Sequence, residues 1–344
     1  MSVPQLDAQR EAFVEASRFR SDFYASLTAR RDELFELMDA LLCADGPVTA
    51  PVDLTLLPEH RRGHGALYDA LNRGRIDVRK LRRTLAALPQ PKAARHRLVL
   101  AVDVSNWLRP DAECSADRLF CHTFGRGRDQ YLMIPGWPYS FVAALESGRT
   151  SWCQLLDAVR LGPEDDIAEI TAAQVRRVVE GLIGGGEPLP LWLWSSRTGT
   201  AGEEVDLRWQ AFLRRFDLEH TFRTIKQTLG WTRPKLRTPE AADRWTWLIT
   251  TAHTQLRLAR LLSQDLRRPW EKPAETGRLT PTRVRRGFRN LRAHLPCPAG
   301  APKPNRPGPG RPLGSKNQRL ATRYDVGKTV RRPETITQRD QVRP

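Results

Sequence analysis

The run RLVLAVDVSNW, residues 97–107, constrains the fold more than any other part of the chain. Its continuous apolar character predicts a buried strand. Leu98, Leu100, Val102 and Val104 point one way, and Val99, Ala101 and Asp103 the other. A carboxylate in such a strand is costly unless it is paired, protonated or bound to metal. The other reading of Asp103 is a strand-end residue that caps a turn with Ser105 and Asn106. Local sequence leaves both open.

Around this strand the chain divides into regions of different character. Residues 1–90 read as a helical N-terminal region. Within LYDALNRGRIDVRKLRRTLAAL (67–88), Gly74 breaks one helix and Asp77 is placed to cap the next. That second helix sets Arg79, Lys80, Arg82 and Arg83 opposite Val78, Leu81, Leu85 and Leu88. The pair fits a DNA-binding helix-turn-helix, and equally a small bundle with a solvated basic face. After the linker PQPKAAR come strands expected at 97–107, 119–124, 130–137 and 191–196. YSFVAALESG and SWCQLLDAVRL read as helix-forming or packed segments. Thr171 with Gln174 forms a capping box for a helix that stops at Gly184, Gly185 and Gly186. Thr238 with Pro239, and Thr280 with Pro281, open two further helices. In the last of these, Arg283, Arg285, Arg286, Arg289 and Arg292 surround Val284, Phe288, Leu291 and Leu295. Those arginines either meet phosphate or solvate a packed helix.

Charge narrows the partner. The 344 residues carry a net charge of +17 with a pI near 10.5, which favours a polyanion, nucleic acid first. Only eight of the 56 cations are Lys, an Arg bias that GC-rich coding also produces. From Pro298 onward the composition is that of a disordered tail, with eleven Lys or Arg against three Asp or Glu. Inside it RPGPGRPLGSKN (306–317) centres on Arg311 and resembles an AT-hook, whose arginine enters a narrow A·T minor groove. The alternative is a plain basic linker. Five scattered cysteines suggest a reducing compartment. Cys114, Cys121 and His122 lack paired zinc-ligand spacing. No signal pattern opens the chain and no run approaches membrane-spanning length, so a cytoplasmic protein is expected.

FLRRFDLEHTFRTIKQTLG, residues 212–230, holds the second unusual carboxylate. At about 100° per residue, Phe212, Arg215, Glu219, Phe222 and Lys226 share one helical stripe. On local grounds Glu219 forms an ordinary i, i+4 pair with Arg215 or Arg223. As F-x2-R-x3-E-x6-K, however, Phe212, Arg215, Glu219 and Lys226 resemble the YREK signature of bacterial insertion-sequence DDE transposases, with Phe in place of Tyr. VDVSNWLRPDA, IPGWPYSFVAALESGRTSW, FDLEHTFRTIKQTLGW and LPCPAGAPKPNRPGPGRP are similar to actinobacterial members of that group over nearly the whole chain.

The resemblance implies a ribonuclease H-like α/β fold, a mixed sheet with flanking helices. It implies a catalytic core over residues 96–265, a basic helical segment over 266–297 and a tail over 298–344. It also implies DNA cleavage and strand transfer at transposon ends in double-stranded DNA, with Mg2+ as cofactor. Asp103 and Glu219 become catalytic metal ligands, and Arg215, Lys226, Arg223 and Arg311 become DNA contacts. Hard cations need such carboxylates, and two ions about 4 Å apart activate the nucleophile and stabilise the leaving group. Oligomeric state stays open between monomer and homo-oligomer.

One part of the pattern is missing. The family places a second Asp on a central strand before the last strand. Here GLIGGGEPLP passes directly into LWLWSS, which reads as an internal deletion near residues 186–190. Glu164, Asp165 and Asp166 fit a loop before a helix, and Glu203, Glu204 and Asp206 look equally ordinary. The expectation is a transposase with a truncated core and impaired catalysis, or a non-catalytic remnant that binds element ends.

Overall fold

The computed structural model describes residues 3–91, 98–124, 131–146, 151–182, 215–275, 277–303, 314 and 320–327. Four helices come first: α1 (Val3–Ser26), α2 (Arg31–Cys43), α3 (His64–Arg73) and α4 (Val78–Ala87). Asp77 caps α4 as its sequence predicts, its carboxylate accepting from the Lys80 N–H at 3.0 Å. Two short strands, β1 (Leu27–Ala29) and β2 (Arg75–Ile76), pair antiparallel and tie the α3–α4 connection to the end of α1.

The main sheet holds β3 (Leu100–Leu108), β4 (Leu119–Phe124), β5 (Tyr131–Leu145) and β6 (Cys153–Arg160). Its pairings among these strands are all antiparallel. β5 is the long central member. β3 runs along one edge of it, while β4 and β6 share the other edge end to end. Gly136 makes the β3–β5 approach possible, because a Cβ there would lie 2.5 Å from the Trp107 carbonyl oxygen. The strand expected at 191–196, the glycine stop at 184–186 and the proposed junction near 186–190 lie outside the described residues.

Two sequence expectations are resolved by the structure. Of the helix-forming and packed readings, the packed one holds: YSFVAAL continues β5 and QLLDAVR forms β6 as buried strands. Their Ala, Leu and Gln content permits a helix, but the pairing of β5 with β3 and β6, and packing on both faces, outweigh that local preference. The helix after β6 is α5 (Ile167–Leu182), and it begins before Thr171. Asp166 caps it, accepting from the Ala168 and Glu169 N–H groups. Gln174 is buried and turned to the sheet, accepting from the Ser140 hydroxyl at 2.7 Å. A capping-box glutamine would stay at the helix end.

α5 covers one face of the sheet through Val175 and Val178, against Val142, Ala144 and Leu156. The opposite face packs on α6 (Arg215–Arg223) and α7 (Pro239–Leu258) in a larger core that also takes in α1–α4 and α8 (Pro281–Arg292). Thr238 caps α7 as expected. The arginines of α8 bind protein groups. Arg285 is buried and donates to the Leu41 carbonyl, Arg286 meets Glu271, Arg289 meets Glu59 and Arg292 meets Asp39. Neither a phosphate-reading nor a merely solvating row describes them: they fasten α8 to α2 and to the loops beside it.

Candidate functional site

Antiparallel register sets the site. Asp103 lies opposite Phe141, Ser105 opposite Tyr139 and Trp107 opposite Trp137. Directly opposed residues share a face, so Asp103 belongs to the face that Tyr139, Phe141 and Trp107 present to the main core. Trp231 fills that face, with its ring centroid 5.2 Å from Phe141, 5.6 Å from Tyr139 and 6.0 Å from Trp107. Its indole N–H donates to the Thr246 hydroxyl and its carbonyl accepts from the Trp245 indole, both on α7. Asp103 sits at the exposed margin of this aromatic cluster, accepting from the Val104 N–H at 2.8 Å.

α6 approaches the same face. Phe222 is buried edge-on against Phe141, with centroids 5.3 Å apart. Glu219 lies one turn earlier and is exposed, as is Arg223. The regular stripe predicted for 212–226 breaks at Arg223: Thr224–Thr228 is a π-helix, with the Leu229 N–H donating to the Thr224 carbonyl. A π turn is wider than an α turn, and single turns of this kind are frequent at functional sites. It turns Lys226 over the Trp231 ring, with Nζ 5.8 Å from the centroid. Burial holds the Lys226 ammonium below the usual lysine range, and the Asp103 charge opposes that shift. Asp103 and Lys226 therefore share one site. Arg215 opens α6 by its backbone, while its side chain, Phe212 and Arg311 lie outside the described residues.

The donor set limits a metal. Among the described residues, no three His, Cys, Asp or Glu side chains come together around one point. Asp165 is taken up by the Gly162 N–H at 2.6 Å and Asp166 by the cap of α5. Cys121 is buried, its thiol pushed up to about 12 by desolvation. Glu203, Glu204 and Asp206 lie outside the described residues. Asp103 and Glu219 alone offer too few carboxylate oxygens for two ions. The described residues therefore do not make up a two-ion site.

A cleft of about 550 Å3 that local sequence did not reveal opens at the β6 edge of the sheet. Arg75, Arg82, Arg160, Asp243, Arg244 and Trp247 line it. Tyr139 donates its phenol to Asp243 at 2.7 Å, and Arg160 donates to the same oxygen at 3.1 Å. Burial raises the Asp243 carboxyl above its ordinary range despite Arg160. These residues come from five separate elements, so no single segment carried a signal.

No helix of the described residues is long and apolar enough to cross a membrane. No curated protein and no solved structure matches the chain. A family model of the DDE superfamily endonucleases does match, over residues 22–194, which spans α2 through α5 and includes Asp103. That segment is half of the 344 residues, and by this match the chain belongs to the DDE superfamily endonucleases.

Proposed function

We propose that the chain is an insertion-sequence DDE transposase with an internally deleted, ribonuclease H-like core and impaired catalysis. The observation that carries the reading is the convergence of Asp103, Lys226 and the Glu219 helix on one face of the sheet, through the Phe141–Phe222 contact. In this reading Asp103 and Glu219 are the surviving catalytic carboxylates and Mg2+ is the ion they take. Mg2+ commonly binds through one or two carboxylates together with substrate phosphates. Lys226, Arg223 and Arg215 face the phosphates of double-stranded DNA at transposon ends, and Arg311 in the tail adds a minor-groove contact. Residues 96–265 form the core, flanked by the helical region 1–90, the basic segment 266–297 and the tail 298–344, in a cytoplasmic protein.

Lys226 has a definite task. Its ammonium is partly desolvated beside Asp103 and an aromatic wall. A phosphate arriving there meets a cation that has already given up part of its water, so the charge-assisted contact is stronger than at an open surface. The second reading, a non-catalytic remnant that binds element ends, holds if no third carboxylate joins Asp103 and Glu219.

The test is nicking of a supercoiled plasmid carrying the element ends, in Mg2+ and in Mn2+. Asp103→Asn and Glu219→Gln are run beside the parent. Slow nicking abolished by both substitutions supports an impaired transposase. End-specific binding without nicking supports the remnant. Nicking that survives both substitutions refutes the assignment of these carboxylates.

A further inference from the structure

We propose that the outer face of α4, with Arg75 beside it, is a second DNA-contact surface that holds the phosphodiester backbone of duplex DNA. The inference rests on the reading of DNA as substrate, but it concerns a surface separate from Asp103, Glu219 and Lys226. α4 lies at the β6 edge of the sheet, where Arg82 donates to the buried Asp157 at 2.8 Å. β6 is two strands from β3, roughly 10 Å across the sheet.

Leu81 and Leu85 are buried, and Arg79 and Arg83 project from the opposite side, both exposed. They are four residues apart and so lie on one face, about 6 Å along the axis. Like charges at that spacing destabilise a helix. Arg75 is exposed at the mouth of the cleft, at the start of the turn into α4. Among the described residues none of these three guanidinium groups has an ion-pair partner.

Many other arginines are paired within the protein. Each of Arg283, Arg286, Arg289 and Arg292 on α8 meets a carboxylate. Arg73, just before Arg75, meets Asp69 at 3.2 Å. Even Arg82, on α4 itself, is neutralised by Asp157. Exposed Arg176, Arg223, Arg233 and Arg267 also lack an ion pair among the described residues; Arg79 and Arg83 differ in sharing one helix face with Arg75 beside it, on a chain of net charge +17. An extended polyanion offers the matching row of charges, one every 3.4 Å along each strand of a duplex.

The test measures binding of the full chain to a fluorescein-labelled 30-base-pair duplex between 50 and 200 mM NaCl. Each phosphate contact contributes about 0.9 to the slope of log affinity against log salt. The Arg79→Gln/Arg83→Gln double variant should therefore lose about 1.8 from that slope, so that over this fourfold salt range the parent's affinity falls about 12-fold more than the variant's. Arg75→Gln should lose about 0.9, roughly 3.5-fold over the same range. Arg278→Gln removes an equal charge from an exposed pair with Glu275 and should leave the slope unchanged. Arg79→Lys/Arg83→Lys should restore the parent slope, which separates lost charge from lost fold. A parent slope in the double variant, with DNA binding intact, overturns this inference alone. A parent that does not bind the duplex at all overturns the DNA reading and this inference with it.

Discussion

His253 offers a quantitative test of the packing beneath the site. It lies on α7, fully buried, with its ring 5.8 Å from Trp152. Among the described residues neither ring nitrogen has a hydrogen-bond partner. Burial, helped by the nearby Arg257 charge, pushes its pKa down from 6.5 to about 3. The folded protein thus keeps His253 neutral where the unfolded chain protonates it. Between about pH 6.5 and 3 the unfolded state binds the extra proton, and stability falls as pH falls through that window. At pH 5.0, 1.5 units below the unfolded pKa, the loss is about 2 kcal/mol. His253→Leu removes the linkage and both orphaned nitrogens. Urea unfolding followed by tryptophan fluorescence, at pH 7.5 and 5.0, gives the stability of each protein. The gap between variant and parent should move by about 2 kcal/mol in favour of the variant at the lower pH. Carboxylates common to both proteins cancel in that comparison. Parallel pH curves would refute the argument, since they would mean that His253 finds water or a partner in the folded state.

Two further outcomes follow from the same core. Phe222→Ala removes the contact between α6 and Phe141 and should cost about 3–5 kcal/mol; chemical denaturation measures it, and a loss under 1 kcal/mol would mean that α6 is not docked on the sheet. Gly230 has φ +71° and its Cβ would lie 2.6 Å from the Val48 carbonyl oxygen, so Gly230→Ala should cost more than the roughly 1–2 kcal/mol of a left-handed residue; its unfolding midpoint decides this.

How far the fold could be read in advance depended on whether the deciding forces were local. The strand bearing Asp103 was legible because its apolar run leaves little alternative. The caps at Asp77 and Thr238 were legible because a side-chain oxygen and an N–H three residues on are enough to make them. β6 was not, because QLLDAVR has no strong strand propensity and its state is set by pairing with β5, eight residues or more away in sequence. Thr171 and Gln174 carried a valid local pattern, but Asp166 started the helix earlier and Ser140 claimed the glutamine. The same limit applied to the arginines of α8. Whether a guanidinium meets phosphate, water or a carboxylate depends on what lies across from it, and Asp39 and Glu59 are more than 200 residues away in sequence.

The site divides along the same line. Each half carried a local oddity, a carboxylate in an apolar strand and a carboxylate in a basic amphipathic helix, and each had an ordinary explanation. The turn-cap reading of Asp103 does not describe its setting, since Ser105 and Asn106 continue the strand opposite Tyr139 and Pro138. Asp103 is then a strand carboxylate near a half-buried lysine, and the strand continues past it for five residues to Leu108. The π turn supplies the remaining link. A uniform α-helix from Glu219 to Lys226 would keep both on one stripe and both facing the same way. The wider turn lets Glu219 remain exposed while Lys226 folds back over Trp231. In the proposed reading, Lys226, held against the sheet by this turn, is the group that meets an incoming phosphate.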